Sequence, residues 1–125
     1  MASAYKKVGV ESRVETASPH ELISLLFEGL LSSLSAAKIH LASGNVAAKS
    51  QAITKSMRII SEGLKGSLDP QAGELSQNLG LLYDYCVAQL MQAHLKNDVE
   101  LIDEVVNLMA PVADTWKNMH NHSAQ

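Results

Sequence analysis

The chain has 125 residues, 46% of them hydrophobic and 18% charged, with a formal net charge of −3. That length suits one domain with a core that needs no disulfide or metal staple, and the composition excludes a disordered chain. Aromatic residues at 4% and three prolines argue against an all-β sandwich, and the lack of a basic block argues against nucleic acid, where neutralised phosphates supply most of the affinity.

The one cysteine, Cys86, cannot form an internal disulfide, so nothing points to an oxidising compartment. Residues 1 to 14 carry Lys6, Lys7, Glu11 and Arg13 and no apolar run, unlike a secretory signal. Unbroken apolar stretches of four residues or fewer fall far short of a membrane span. The expectation is a cytoplasmic protein that does not insert into membranes.

Taken in chain order, the first helix begins at Ser18-Pro19-His20-Glu21. Ser18 is a natural N-cap, Pro19 loses nothing at the first helical position, and Glu21 completes a capping box. Ile23, Leu26, Leu30, Leu34, Ala37 and Leu41 then recur at helical steps until Ser43-Gly44-Asn45, where Gly44 suits a left-handed end. Asn45 caps a second helix with the seam Ile53, Met57, Ile60 and Leu64. Gly63 and Gly66 weaken its end, and Ser67-Leu68-Asp69-Pro70 reads as a turn.

The third helix is expected from Asp69 or Gly73 to Lys96, with the seam Leu75, Leu79, Leu82, Cys86, Leu90 and Ala93. Asn97-Asp98-Val99-Glu100 reads as a second capping box. The fourth helix carries Ile102, Val105, Met109, Val112, Trp116 and Met119, and Pro111 within it predicts a kink or a local break. Long helices joined by short loops must fold back on one another. The predicted fold is therefore all-α, an antiparallel up-down four-helix bundle over residues 18–119. Residues 1–17 form an N-terminal arm packing on or near it, and 120–125 a polar tail.

These helices carry more apolar surface than one stripe each requires. Tyr83, Val87 and Met91 flank the third seam on one side, Leu81 and Tyr85 on the other; Leu101 and Leu108, with Val99, Val106 and Ala113, widen the fourth, and Leu22, Leu25, Phe27 and Leu31 the first. For any single residue a generous core is the better reading. Together the surplus points to a groove that binds a partner. In the arm, Tyr5, Val8, Val10 and Val14 are spaced apolar anchors, which suit either a loose tail or a tethered plug over such a groove.

Catalytic and metal signatures are missing. No glutamate has histidine three positions on, as a carboxylate-bridged di-iron bundle requires, and one cysteine excludes Cys-x-x-Cys-His haem attachment. There is no phosphate-binding glycine loop. His120 and His122 are two ligands without a third, and Cys86 on the inward seam reads as inert packing. The enzyme-like alternative is histidine phosphotransfer at Ala93-His94-Leu95-Lys96, although the spacing is one residue short and the expected glycine is absent. The better reading is a protein that holds another protein, with no enzyme activity, cofactor or metal.

Several segments together resemble the FliS family of flagellar secretion chaperones: Val10-Glu11-Ser12, Thr16-Ala17-Ser18-Pro19-His20-Glu21-Leu22-Ile23, Leu25-Leu26-Phe27-Glu28-Gly29-Leu30, Ile59-Ile60-Ser61-Glu62-Gly63-Leu64, Leu81-Leu82-Tyr83-Asp84-Tyr85-Cys86, Asn97-Asp98, and Pro111-Val112-Ala113-Asp114-Thr115-Trp116. They run in order from about Tyr5 to Trp116, and the entry to the first helix is the most distinctive. Thr115 departs from the small residue, often alanine, that the family carries there. The resemblance implies a bundle that wraps the disordered C-terminal part of flagellin, blocks premature filament assembly and helps deliver it to the flagellar type III export apparatus. It also implies that the arm around Tyr5, Val8 and Val10 is a displaceable cover. An export-gate component and other flagellar regulators are further expected partners. From the surface argument, Leu81, Tyr83, Tyr85, Val87, Leu101, Val106 and Leu108 are the candidate groove walls.

Overall fold

In the computed structural model, which describes residues 16–123, Ser18 opens the first helix that lies wholly among those residues. Its Oγ accepts from the Glu21 N–H at 3.2 Å, and Pro19 stands at the first helical position. Helix α1 (Pro19–Ser43) ends on Gly44, whose φ of 74° is the left-handed conformation that glycine adopts without strain. Asn45 follows as the N-cap of α2 (Val46–Arg58), accepting from the Ala48 N–H at 3.1 Å.

The expected weakness near Gly63 takes a definite form. Beyond Arg58 the chain widens into a π-helical turn, Ile59–Leu64, then tightens into a 3-10 turn, Lys65–Ser67. A second 3-10 turn, Pro70–Ala72, capped by the Asp69 carboxylate, leads into α3 (Glu74–Lys96). The third helix thus starts at the later of the two positions expected for it.

The cap between α3 and α4 (Val99–Ser123) differs from expectation by one residue. Asn97 is the left-handed end of α3, at φ 52°, and Asp98 takes over the capping role by accepting from the Glu100 N–H at 3.0 Å. Asparagine tolerates the left-handed region better than most residues, which leaves the aspartate to cap. Helix α4 also runs unbroken through Pro111 and on to Ser123, past the point where the sequence placed a polar tail.

Around the bundle α1 packs on α2 and α4, and α3 closes the ring between them. Short connections at Gly44-Asn45 and Asn97-Asp98 make neighbouring helices antiparallel. The core holds Phe27, Leu30, Leu34, Ile53, Ile60, Leu64, Tyr83, Cys86, Leu90, Ile102, Val105 and Met109. Small residues bring α1 close to α2 and the π turn that continues it: a Cβ on Gly63 would stand 3.0 Å from Leu26 Cδ2. The buried Ser33 and Ser56 hydroxyls hydrogen-bond across the same interface at 2.7 Å.

By length and composition α1 alone would suffice to cross a bilayer, which the short apolar runs did not suggest. In the bundle its apolar side, including Phe27, Leu30, Leu34 and Ala37, is spent on the core, and it carries Glu21, Glu28 and Lys38. It is an amphipathic bundle helix with one side on the core, and it leaves Leu22 and Ile39 exposed.

Cys86 lies at the centre, and burial pushes its thiol from the ordinary 9.0 up to about 11. A group whose folded-state pKa is raised stabilises the fold fully below its unfolded value and less as pH climbs through the folded one. Stability should therefore decline between about pH 9 and 11, by on the order of 2 kcal/mol from this thiol. Tyr83, raised by burial, and Tyr85, raised by its hydrogen bond to Glu104, add to the loss above pH 10. Urea unfolding at about pH 8 and about pH 10.5 measures the decline, and Cys86→Ala should flatten the thiol's part of it.

Candidate functional site: an apolar mouth at one end of the bundle

At the end of the bundle where α1 and α3 begin and α4 finishes, the core opens to solvent. The opening is a cavity of about 340 Å³. Ile23 and Phe27 line it from α1, Leu64, Ser67 and Leu68 from the loosened end of the second segment, and Leu75, Leu79 and Tyr83 from α3. Pro111, Val112, Thr115, Trp116 and Met119 complete it from α4. Apart from two hydroxyl-bearing side chains and the Tyr83 phenol, every lining residue is apolar.

The local sequence explains why the end stays open. Glycines and a proline from Gly63 to Gly73 break the second helix into a π and two 3-10 turns, so among the described residues no regular helix covers the start of the α3 seam. Leu75, an inward-facing position by periodicity, is 60% exposed as a result. Leu68 partly fills the space, its Cδ1 lying 3.6 Å from where a Cβ on Gly80 would be.

Trp116 is fixed in the wall. Its indole N–H donates to the His20 carbonyl at 3.1 Å, and the His20 ring stacks on it with centroids 4.4 Å apart and planes 7° from parallel. With its polar edge satisfied and one face covered by His20, the indole leaves its remaining apolar surface to the cavity.

Two further grooves flank α1. Between α1 and α4 a cavity of about 400 Å³ has Phe27, Leu31, Ala110 and Ala113 among its liners, with the carboxylates of Glu21, Glu28 and Asp114 opposed by Lys117. On the α2 side a shallower space of about 700 Å³ is lined by Leu26, Ile59 and Gly63 with Lys55, Arg58 and Glu62. Arg58 and Glu62 pair with each other across one turn.

The predicted groove walls separate into three groups. Tyr83 lines the mouth, although it is nearly wholly buried. Leu81 (69% exposed) and Tyr85 lie on the outer face of α3, away from the mouth. Val87, Leu101, Val106 and Leu108 are partly buried against the core. Tyr85 is also tied down: its hydroxyl donates to Glu104 at 2.9 Å, and Gln89 donates to the same carboxylate at 2.8 Å. Tyr5, Val8 and Val10 lie outside the described residues.

Periodicity places most mouth residues on helix seams, because it reports which side chains face inward and not whether anything covers them. The available signal was the run of Gly63, Gly66, Pro70 and Gly73 opposite the first turns of α3.

His94, the phosphotransfer alternative, is partly buried, with Nδ1 enclosed and lacking a hydrogen-bond partner among the described residues. A phosphoryl acceptor needs that ring accessible. Among the described residues no three of histidine, cysteine, aspartate and glutamate group as a metal site.

Comparison with known proteins supplies the biological setting. The family model described as flagellar protein FliS matches residues 1–123. The flagellar secretion chaperone FliS of Salmonella typhimurium is 46% identical over 117 residues, covering 93% of this chain and 87% of the relative. That of Escherichia coli is 44% identical over 115 residues, covering 91% and 85%. The FliS of Bacillus subtilis is 33% identical over 107 residues, covering 86% and 79%. A four-helix bundle with an open apolar end, matched along nearly its whole length, belongs to the FliS family of flagellar secretion chaperones, which are not enzymes.

Proposed function

We propose that this chaperone works in the cytoplasm on flagellin, taking the disordered C-terminal segment of the newly made subunit into the apolar mouth. Holding that segment blocks premature polymerisation, and the loaded complex is delivered to the flagellar type III export apparatus. The observation that carries this reading is the mouth itself, a preformed apolar cavity of about 340 Å³ in a member of an export-chaperone family.

Binding here is coupled to folding. Each large apolar side chain of the client that becomes fully buried contributes roughly 1.5–3 kcal/mol, and each backbone residue that becomes ordered costs about 1–2 kcal/mol. Affinity stays moderate for the area buried, which suits a partner that must later let go. The exposed Leu81 and Tyr85 on α3 extend the surface available to a client that continues beyond the mouth. Residues 1–17, with Tyr5, Val8 and Val10 as anchors, act as a tethered cover that the client displaces. The export-gate component and other flagellar regulators then meet the loaded bundle.

Capture on immobilised chaperone tests the reading. Full-length flagellin should bind, and flagellin lacking its C-terminal segment should be lost by at least about tenfold in affinity, the equivalent of one buried side chain. Equal capture of both would overturn it.

A further inference from the structure

We propose that the Tyr83 hydroxyl is a specificity-determining contact of the mouth, donating a hydrogen bond to a free backbone carbonyl of the client segment seated there. This rests on the reading of the mouth as the client site. Hydroxyl-bearing side chains reach the cavity wall from Ser67, Tyr83 and Thr115. Ser67 is occupied, since it donates to the Gly63 carbonyl at 2.6 Å. Thr115 stands on the exposed rim. Tyr83 differs from both: only 3% of its surface is exposed, yet its hydroxyl has no hydrogen-bond partner among the described residues. The oxygen is not sealed in the core either, so the mouth that Tyr83 lines is where it meets solvent. Two residues on, Tyr85 shows the usual arrangement, its hydroxyl spent on Glu104 at 2.9 Å.

A buried phenol ordinarily finds a partner, because an unmet donor in an apolar setting is costly. In the free chaperone water can serve. A client that fills the mouth with apolar side chains expels that water, and without an acceptor of its own it forfeits roughly tenfold in affinity. The acceptor must be neutral, since a carboxylate would carry its charge into a wall of leucine, isoleucine, valine and tryptophan. Backbone carbonyls inside a helix are already paired, whereas those of its last turn are not. The mouth therefore selects a segment whose helix ends within it, the last turn supplying both an apolar side chain and a carbonyl. Such discrimination is sharper than apolar fit alone, for a site built around a hydrogen bond penalises any ligand that lacks one.

Tyr83→Phe removes the oxygen and leaves the ring in place. By isothermal titration of the full chain, flagellin should bind this variant about three- to tenfold more weakly. Its melting temperature at neutral pH should not fall, because the hydroxyl has no protein partner to lose in the free chaperone. With tyrosine labelled at the ring carbon that bears the oxygen, the Tyr83 resonance, identified by its absence from Tyr83→Phe, should shift when flagellin is added. Equal affinity, an unmoved resonance or a lowered melting temperature would overturn the contact while the client reading stands. A loss on Thr115→Val with none on Tyr83→Phe would place the polar contact at the rim and overturn it equally. If flagellin does not bind the unaltered chain, the client reading and this contact fail together.

Discussion

Leu75→Glu should weaken client binding by roughly tenfold to a hundredfold and leave the fold intact. The side chain is 60% exposed at the mouth of the cavity, so a carboxylate there costs the free protein little. In the complex it would replace the burial of a leucine, worth about 1.5–3 kcal/mol, with a charge facing an apolar ligand. Leu81→Glu is the matched control. Leu81 is about as exposed and lies on the same helix, but outside the mouth. Isothermal titration with flagellin should show a large loss for the first and a few-fold loss at most for the second, with unchanged melting for both. The opposite ranking would move the client to the outer face of α3.

The largest expected effect on stability lies at the other end of the bundle. Lys49 is a lysine with only 4% of its surface exposed. Its ammonium donates to the His94 carbonyl at 3.2 Å and to the Asn97 side-chain oxygen. It thereby satisfies the C-terminus of α3, where carbonyls lack partners within the helix and a positive charge is favoured. Lys49→Met keeps the bulk and removes the charged donor, taking its hydrogen bonds from the half-buried His94 carbonyl and from Asn97 at the exposed end of the helix. We expect a loss of about 2–3 kcal/mol and roughly 10 °C in melting temperature. Lys55→Met, on the exposed side of the same helix, should stay within about 0.5 kcal/mol. Calorimetry on the two variants decides it.

Much of the fold was legible because it is written in local chemistry. Ser18, Gly44 and Asn45 each act within four residues of themselves, and each does in the structure what its type suggests. The Asn97-Asp98 pair shows the limit. Both residues can cap a helix, and the choice between them turns on which better tolerates a left-handed backbone. The role of Lys49 was not legible, since its partners are 45 and 48 residues away. The mouth lies further still from local reading. Its walls join Ile23 to Trp116 across the whole chain, and its existence depends on what the interrupted end of the second segment fails to cover. Tyr83 was expected at a binding surface and does line the mouth, yet it reaches there from the core side of α3.

The two ends of this bundle differ mechanically. One is pinned by the Lys49 contacts and two tight loops; the other is built from a π turn, 3-10 turns and glycines. Helix α3, with 23 residues, is a lever of roughly 35 Å pivoted at the pinned end. A tilt of about 5° would move its free tip by about 3 Å, roughly two carbon–carbon bond lengths, with little disturbance at the pivot. Jaws of that kind can close on side chains of unequal size without repacking the hinge.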